Sequence, residues 1–341
     1  MRRATIADIA RAVGVSKGAV SYALNGRPGV SEATRRRVLE VAEEFGWHPS
    51  SAARALSDGR AGVLGLIIDR PARTLGIESF FMQLISGIEA TLSERSIGLL
   101  LQVTDERANE LAAYRRWWAQ RSVDGVIVID LARSDPRVGL LEELAMPAVV
   151  IGGPQGLGRL VGVWSDDRAA MSDVVEHLAG LGHRRLGRVA GVTDMLHTQA
   201  RTEALHAAAR RLGLPEPVTV DTDYTTDAGA RATRTLLSRV PRPTVVIYDN
   251  DVMAVAGVGV AQEMGIQIPR ELSVVAWDDS PLCQLTHPQL SAVRRDIAGY
   301  GALAAECLLR LVAGEPVASV EDARPVLVPR GSTAPPPAGP H

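Results

Sequence analysis

The chain has 341 residues, of which 46% are hydrophobic, 22% charged and 4% aromatic, with a net charge of −2. That length suits two or three domains of about 150 residues each. Two distant cysteines, Cys283 and Cys307, argue against a disulfide scaffold, scattered histidines argue against a zinc motif, and no apolar run nears the ~18–20 residues that span a bilayer. The segment Met1-Arg2-Arg3-Ala4-Thr5-Ile6-Ala7-Asp8 has no signal-peptide apolar region, so a cytoplasmic protein without metal or other cofactor is expected. The charge is unevenly spread: residues 1–60 hold ten Lys/Arg against six Asp/Glu, a net of +4, and the remainder is −6. A basic small domain joined to an acidic large one suits a polyanion partner for the first alone.

The first predicted elements are a helix from Thr5 to Ala12, a turn Val13-Gly14-Val15, and a helix over Ser16–Asn25. Helix, glycine turn, helix is the sequence form of a DNA-binding helix-turn-helix. Thr5 and Ser16 stand where N-caps belong. At about 100° per residue, Val20, Ala23 and Leu24 make one apolar stripe. Gly18, Ser21, Tyr22 and Asn25 lie opposite, with Lys17 at the leading edge. An amphipathic helix in an ordinary helical subdomain would show the same pattern. Ser31 caps a third helix, Glu32 to Phe45, with Val38, Leu39, Ala42 and Phe45 as its buried stripe and Arg35-Arg36-Arg37 as a basic face. That triplet is either a solvated face or a phosphate contact. After Trp47-His48-Pro49 comes Ser50–Ser57, an alanine-rich stretch too short to be a stable helix alone. It is either a linker or a segment that folds against a partner.

From Val63 the pattern becomes strand–helix alternation. Predicted strands lie at 63–68, 98–103, 125–129, 148–151, 160–164, 186–190, 217–220, 244–247, 273–276 and 326–328. Predicted helices lie at 80–95, 107–121, 138–144, 168–181, 199–212, 227–238, 251–264 and 297–311. This is doubly wound α/β with parallel sheets, and about ten strands point to two similar lobes. Ligands in such sheets bind outside the carboxyl ends of the strands. The tail from Gly331 through Pro335-Pro336-Pro337 reads as disordered.

A helix-turn-helix, a short alanine-rich segment and a two-lobed body resemble the lactose/galactose-repressor (LacI/GalR) family. The resemblance rests on Thr5-Ile6-Ala7-Asp8-Ile9-Ala10, Gly14-Val15-Ser16, Val20-Ser21, Leu24-Asn25-Gly26 and Val30-Ser31-Glu32-Ala33-Thr34-Arg35. In the body it rests on Gly182-His183-Arg184-Arg185, on Asp249-Asn250-Asp251 with Ala254, and on the run Ser273–Ser280. It implies an N-terminal all-α helix-turn-helix domain (1–48), a hinge helix and linker (49–60), and a periplasmic-binding-protein-like body. The body's first lobe would be 61–162 plus 292–330, its second lobe 163–291, and the tail 331–341.

The resemblance further implies a homodimeric repressor on a near-palindromic operator, released by a small-molecule effector, most often a sugar. Thr5, Ser16, Ser21 and Asn25 would position the DNA backbone, and Lys17, Gly18 and Tyr22 would choose bases. Ala53 and Leu56 of the hinge would enter the minor groove, with Leu56 as an apolar wedge. The family usually has threonine at Ala19 and arginine at Tyr22, so a bidentate arginine–guanine contact is lost here. Other departures are Ser50 for asparagine and Trp47 for tyrosine. Effector-binding positions that carry over are Arg201, Tyr224, Asn250 and Asp278. Asp130 and Arg295 are further cleft candidates, and Gly152 stands where some sugar-responsive members carry aspartate. Asp251 reads as a helix N-cap before a ligand, and Asp279 equally as a turn residue. A corepressor-type regulator responding to a nucleobase, a transport receptor and an α/β enzyme are the alternatives. For the enzyme, neither a nucleophile elbow nor a phosphate-binding glycine loop is present in the sequence.

Overall fold

Among its described residues, three helices make up the first unit, Met1–Ala61, which is distinct from the second, Gly62–His341. The computed structural model describes residues 4–47, 60–70, 75–104 and 106–337. In the first unit α1 is Ile6–Val13, α2 Lys17–Leu24 and α3 Glu32–Glu44. Gly14 ends α1 at φ +76°, the left-handed C-cap that a side chain disfavours. Ser16 caps α2, its hydroxyl accepting from Ala19 N–H at 3.1 Å. Thr5 differs from a simple cap: its N–H and its hydroxyl both donate to Asp8 Oδ2, at 3.0 and 2.6 Å.

The first core is Ile9, Ala10, Val20, Ala23, Val38 and Ala42. Leu39 and Phe45, expected in the buried stripe of α3, are 47% and 40% exposed. A 13-residue helix packed on two 8-residue helices buries a narrow stripe, and these two residues fall outside it. The basic triplet also divides. Arg35 is half-buried and donates to the Arg27 carbonyl at 2.9 Å, leaving Arg36 and Arg37 exposed.

The second unit holds two six-stranded sheets. In the first, β11(Val320–Glu321), β5(Val161–Trp164), β4(Ala148–Ile151), β3(Gly125–Ile129), β1(Val63–Asp69) and β2(Gly98–Thr104) run parallel in that order. In the second, the order is β12(Val326–Val328), β10(Ser291–Arg294), β9(Ser273–Trp277), β8(Val245–Tyr248), β6(Leu186–Ala190) and β7(Val218–Asp221). Only the β10–β12 pair there is antiparallel. The central strands are buried along their length, as continuous apolar runs in parallel sheets require.

Helices cover both faces of each sheet. The first lobe carries α4(Ser79–Ser93), α5(Arg107–Ala119), α6(Pro136–Glu143) and α12(Ile297–Val312). The second carries α7(Asp167–Gly180), α8(Leu196–Arg211), α9(Thr226–Leu237) and α10(Asp251–Glu263), and a short α11(Pro281–Leu285) follows β9. The chain passes between lobes three times: after β5, after β10 and before β12. Residues 326–328, which the sequence reading grouped with the first lobe, thus pair in the second sheet. The tail also departs from expectation, because residues 331–337 are packed rather than disordered. β10 pairs with β9 only from Val275 onward. The backbone of Val274 needs another partner on that side, and the tail supplies it. Val274 N–H donates to the Ser332 carbonyl at 2.9 Å, and the Ser332 hydroxyl donates to the Val274 carbonyl at 2.6 Å.

The crossing of α4 and α12 depends on two glycines. A Cβ on Gly87 would sit 1.8 Å from the Ala298 carbonyl oxygen, and one on Gly301 would sit 2.3 Å from that of Leu84. Neither oxygen can move without moving its helix. A Gly87→Ala substitution is therefore expected to destabilise the second unit by about 1–3 kcal/mol through overpacking. Urea unfolding checks this; an unchanged midpoint would contradict so close a crossing.

Candidate functional site

In the first unit α2 offers one face to solvent. Lys17, Gly18, Tyr22 and Asn25 are exposed, and Tyr22 is 45% accessible, an unusual state for a large aromatic in a small core. Its ring lies over Gly29, where a Cβ would be 3.3 Å from Tyr22 Cδ2. Asn25 Nδ2 donates to the Ser21 hydroxyl at 3.4 Å, and Ser16 is engaged as the cap, so these three polar residues fix the helix as well as facing outward. Lys17, Gly18 and Tyr22 are the ones left to meet a partner. Ala53 and Leu56 lie outside the described residues.

The second unit encloses a cavity of about 340 Å³ between its lobes, within the range of small-molecule sites. Its walls come from the carboxyl ends of parallel strands in both sheets. Arg70 follows β1, Asp130 follows β3, Gly152 follows β4, and Ser165 to Asp167 follow β5. Tyr224 follows β7, Asp249 and Asn250 follow β8, Asp278 follows β9, and Arg295 follows β10. Parallel strands leave their last residues here, facing helix N-termini, so polar groups converge. Three wall residues, Asp130, Tyr224 and Asp278, have φ of +55°, +67° and +64°, in a region that side chains rarely adopt. Such backbone outliers cluster at functional sites.

All four residues singled out from sequence, Arg201, Tyr224, Asn250 and Asp278, line this cavity, as do Asp130, Arg295 and Gly152. Arg201 is buried, pairs with Asp167 Oδ2 (Nε 2.8 Å) and stacks 4.1 Å above the Trp277 ring. Tyr224 shares its hydroxyl with His197 Nε2 at 2.7 Å and with Thr198 Oγ1 at 3.1 Å. Asn250 is the N-cap of α10: its Oδ1 accepts from Met253 N–H at 2.8 Å, and its Nδ2 donates to the Tyr224 carbonyl at 3.2 Å. The cap expected of Asp251 thus falls one residue earlier. Asp251 instead faces the other lobe, accepting from the Ser79 hydroxyl at 3.3 Å. Arg295 Nε donates to Asp278 at 2.9 Å and lies 5.0 Å from the Phe80 ring. Asp279 points elsewhere and holds Arg330 through both oxygens, at 2.8 and 2.6 Å.

The sequence reading missed Arg70, Glu78, Asp167, His197 and Asp249. Arg70 donates to Asp130 Oδ2 at 2.7 Å and lies 5.4 Å from the Tyr224 ring across the cleft. Arg70 directly follows β1 and Glu78 directly precedes α4, where no periodicity marks them. Asp249 stood in a noted motif but is a scaffold: Arg188 grips it at 2.8 and 2.6 Å, both side chains fully buried. Bordering the cavity, Leu196 N–H donates to the Leu131 carbonyl at 2.9 Å and Arg133 N–H to the Asp194 carbonyl at 3.0 Å, tying the lobes together.

Burial and neighbours set the charges. Burial would raise the Asp130 and Asp167 carboxyls, but Arg70 and Arg201 respectively outweigh it, and both lie below the usual carboxylate range. Burial raises Glu78 to about 7 despite Arg70. Burial, helped by the Arg201 charge, lowers His197 to about 4, so its imidazole is neutral at pH 7.

The comparisons with known proteins now bear on both units. Residues 5–50 match the family described as bacterial regulatory proteins, lacI family, and residues 175–333 match a periplasmic binding protein-like domain. The chain is 30% identical over 318 residues to the HTH-type transcriptional regulator CelR of Thermobifida fusca, covering 92% of this chain and 93% of that one. The chain belongs to the LacI family of bacterial regulatory proteins. It is a DNA-binding transcriptional regulator and not an enzyme. A crystal structure of a LacI family regulator from Bifidobacterium animalis subsp. lactis superposes with a TM-score of 0.75 at 36% identity, covering 81% of this chain and 99% of that one. The structure of a CelR–cellobiose complex gives a TM-score of 0.74 at 28% identity, covering 97% and 100%. Among the described residues of the regulator, no helix is long and apolar enough to cross a membrane.

Two cleft groups should give the regulator's stability opposite pH slopes. The folded His197 binds its proton only near pH 4, whereas the unfolded one binds near 6.5, so its contribution is lost as pH falls through that window. The folded Glu78 holds its proton up to about pH 7, whereas the unfolded one releases it near 4.5, so its contribution is lost as pH rises through that window. In urea titrations at pH 7 and pH 5, His197→Gln is expected to lose less stability on acidification than the unsubstituted protein, and Glu78→Gln to lose more. The same slope in all three proteins would contradict these assignments.

Proposed function

We propose that the regulator is a cytoplasmic homodimeric repressor of carbohydrate-metabolism genes, released from a palindromic operator when a sugar occupies the interlobe cavity. The observation that carries this reading is the cavity itself. Aromatic rings and paired charged groups line a space of small-molecule size, where the strand ends of two lobes meet. Arg201, Tyr224, Asn250 and Asp278 are the residues proposed to meet the effector, with Asp130 and Arg295 beside them. Tyr224 offers a ring face, and the charged groups offer strong donors and acceptors to hydroxyls. The CelR relative and its cellobiose complex support a carbohydrate as the effector class.

For DNA, α2 is proposed to enter the major groove. Lys17 donates to guanine N7/O6 or to a phosphate, and Tyr22 offers one hydroxyl and a ring edge to a thymine methyl. Gly18 lets the backbone come close, and Thr5, Ser16, Ser21 and Asn25 set the helix on the phosphate backbone. Arg36 and Arg37 add exposed positive charge. With no arginine at Tyr22, base discrimination by α2 is modest. More of the specificity then rests on Leu56 as a minor-groove wedge, with Ala53 permitting close approach, and on DNA deformability.

Two measurements test this. Titrating an operator duplex with the regulator, with and without a sugar panel, should show at least one sugar that weakens binding tenfold or more. Identical affinities across the panel would reject sugar induction, and tighter binding would make the molecule a corepressor-type regulator. In the same assay Leu56→Ala should cost more operator affinity than Tyr22→Ala; the reverse order would overturn this account of DNA reading.

A further inference from the structure

Three polar atoms in the cleft are buried without a hydrogen-bond partner: Arg70 Nε, Glu78 Oε1 and Asp167 Oδ1. All three residues line the cavity, and Arg70 and Glu78 are only 8% and 7% exposed. Burying such an atom unpaired forfeits its hydrogen bonds to water without replacing them, so their convergence on one space points to a ligand that completes them. Their partial use elsewhere shows which valences remain. Arg70 spends its two terminal nitrogens on Asp130 and on the Asp69 carbonyl, at 2.7 and 2.8 Å, leaving Nε. Asp167 gives Oδ2 to Arg201, leaving Oδ1. Glu78 precedes α4 without capping it, and its Oε1 remains open.

The charges narrow the ligand further. Among the described residues, every arginine on the cavity wall already has a carboxylate: Arg70 with Asp130, Arg201 with Asp167, Arg295 with Asp278, and Arg168 with Glu203. Glu78 has no such partner closed upon it, and Asp251 is held by hydroxyl and amide groups rather than by a guanidinium. Among the described residues, an incoming anion would find no cation without a carboxylate partner and would lie beside the carboxyl groups of Glu78 and Asp251. A hydroxyl, by contrast, donates and accepts at once, which matches an orphan donor next to orphan acceptors.

We propose that Arg70 and Glu78 of the first lobe, with Asp167 across the cleft, select an uncharged polyhydroxylated effector and reject acidic ones, Glu78 being the specificity-determining residue. This rests on the reading of the cleft as a sugar site and names which sugars it admits. The carboxylates that face Glu78 are Asp130 at the end of β3, Asp251 at the start of α10 and Asp278 at the end of β9, with Arg70 as the nearby cation. Asp130 and Asp278 are offset by their arginines, so among the described residues Glu78 and Asp251 are the groups an incoming carboxylate or phosphate would meet without a paired cation.

The test is calorimetric titration of the full chain at pH 8.5, where Glu78 has released its proton, with neutral sugars (glucose, galactose, xylose, maltose and cellobiose) beside glucuronate, galacturonate and glucose 6-phosphate. At least one neutral sugar should bind, and tenfold or more tighter than every acid. In Glu78→Gln that neutral-to-acid ratio should narrow by at least tenfold, a change that a general loss of packing would not produce. The ratio in the unsubstituted protein stands as evidence even where the variant folds poorly. Acids binding as tightly as neutral sugars, or a ratio unmoved in a folded Glu78→Gln, would overturn the inference while leaving the sugar reading intact. Binding by none of the panel, neutral or acidic, would overturn the sugar reading and this inference with it.

Discussion

The Arg188–Asp249 pair anchors the second lobe. Both side chains are fully buried, and each ion taken from water costs several kcal/mol unless its partner and remaining hydrogen bonds are in place. They are: two guanidinium nitrogens meet two carboxylate oxygens, Gly191 N–H adds a third donor at 2.9 Å, and Thr202 and Thr198 take the other guanidinium protons. This bolts the end of β6 to the end of β8. It thereby fixes the next residue, Asn250, as the cap of α10 and as the clamp on the Tyr224 carbonyl. Arg201 then reaches the Asp249 carbonyl at 3.4 Å while pairing with Asp167, so the chain of alternating charges runs from the core to the cavity wall.

The first lobe solves the same problem with different residues. Arg137 is buried between Glu110 and Asp135, and the Nη2 that meets Asp135 also donates to the Asp130 carbonyl at 2.8 Å. That bond helps hold Asp130 in its left-handed conformation, from which the carboxylate meets Arg70. Each lobe thus presents charged groups that its own interior has already positioned. A ligand joining the lobes need not order these side chains, which lowers the entropic cost of binding.

Much of this was legible in the sequence, and what was not has physical reasons. Apolar runs flanked by turns located ten of the strands, because parallel strands buried on both faces have no alternation to hide in. Val320–Glu321 went unread because two residues carry too little pattern, and Ser291–Arg294 because Ser-Ala-Val-Arg holds only two apolar residues between polar ends. The tail looked disordered by composition, yet the backbone of Val274 and the hydroxyl of Ser273 give it a place to bind. Cleft residues within strand-end motifs, such as Asn250 and Asp278, could be found. Arg70 and Glu78 could not, since their meaning lies in which valences their neighbours leave open. Asp251 shows the limit of local rules: capping chemistry was assigned to the right corner but to the wrong one of two adjacent residues.

The account joins a cavity in one unit to a groove-reading helix in another, and such a link is a coupling free energy that must act equally in both directions. The direct measurement is the affinity of the regulator for a sugar that weakens operator binding, determined by titration with and without a saturating operator duplex. The account predicts that operator weakens sugar binding by the same factor by which that sugar weakens operator binding. A sugar affinity that is unchanged by operator would contradict it.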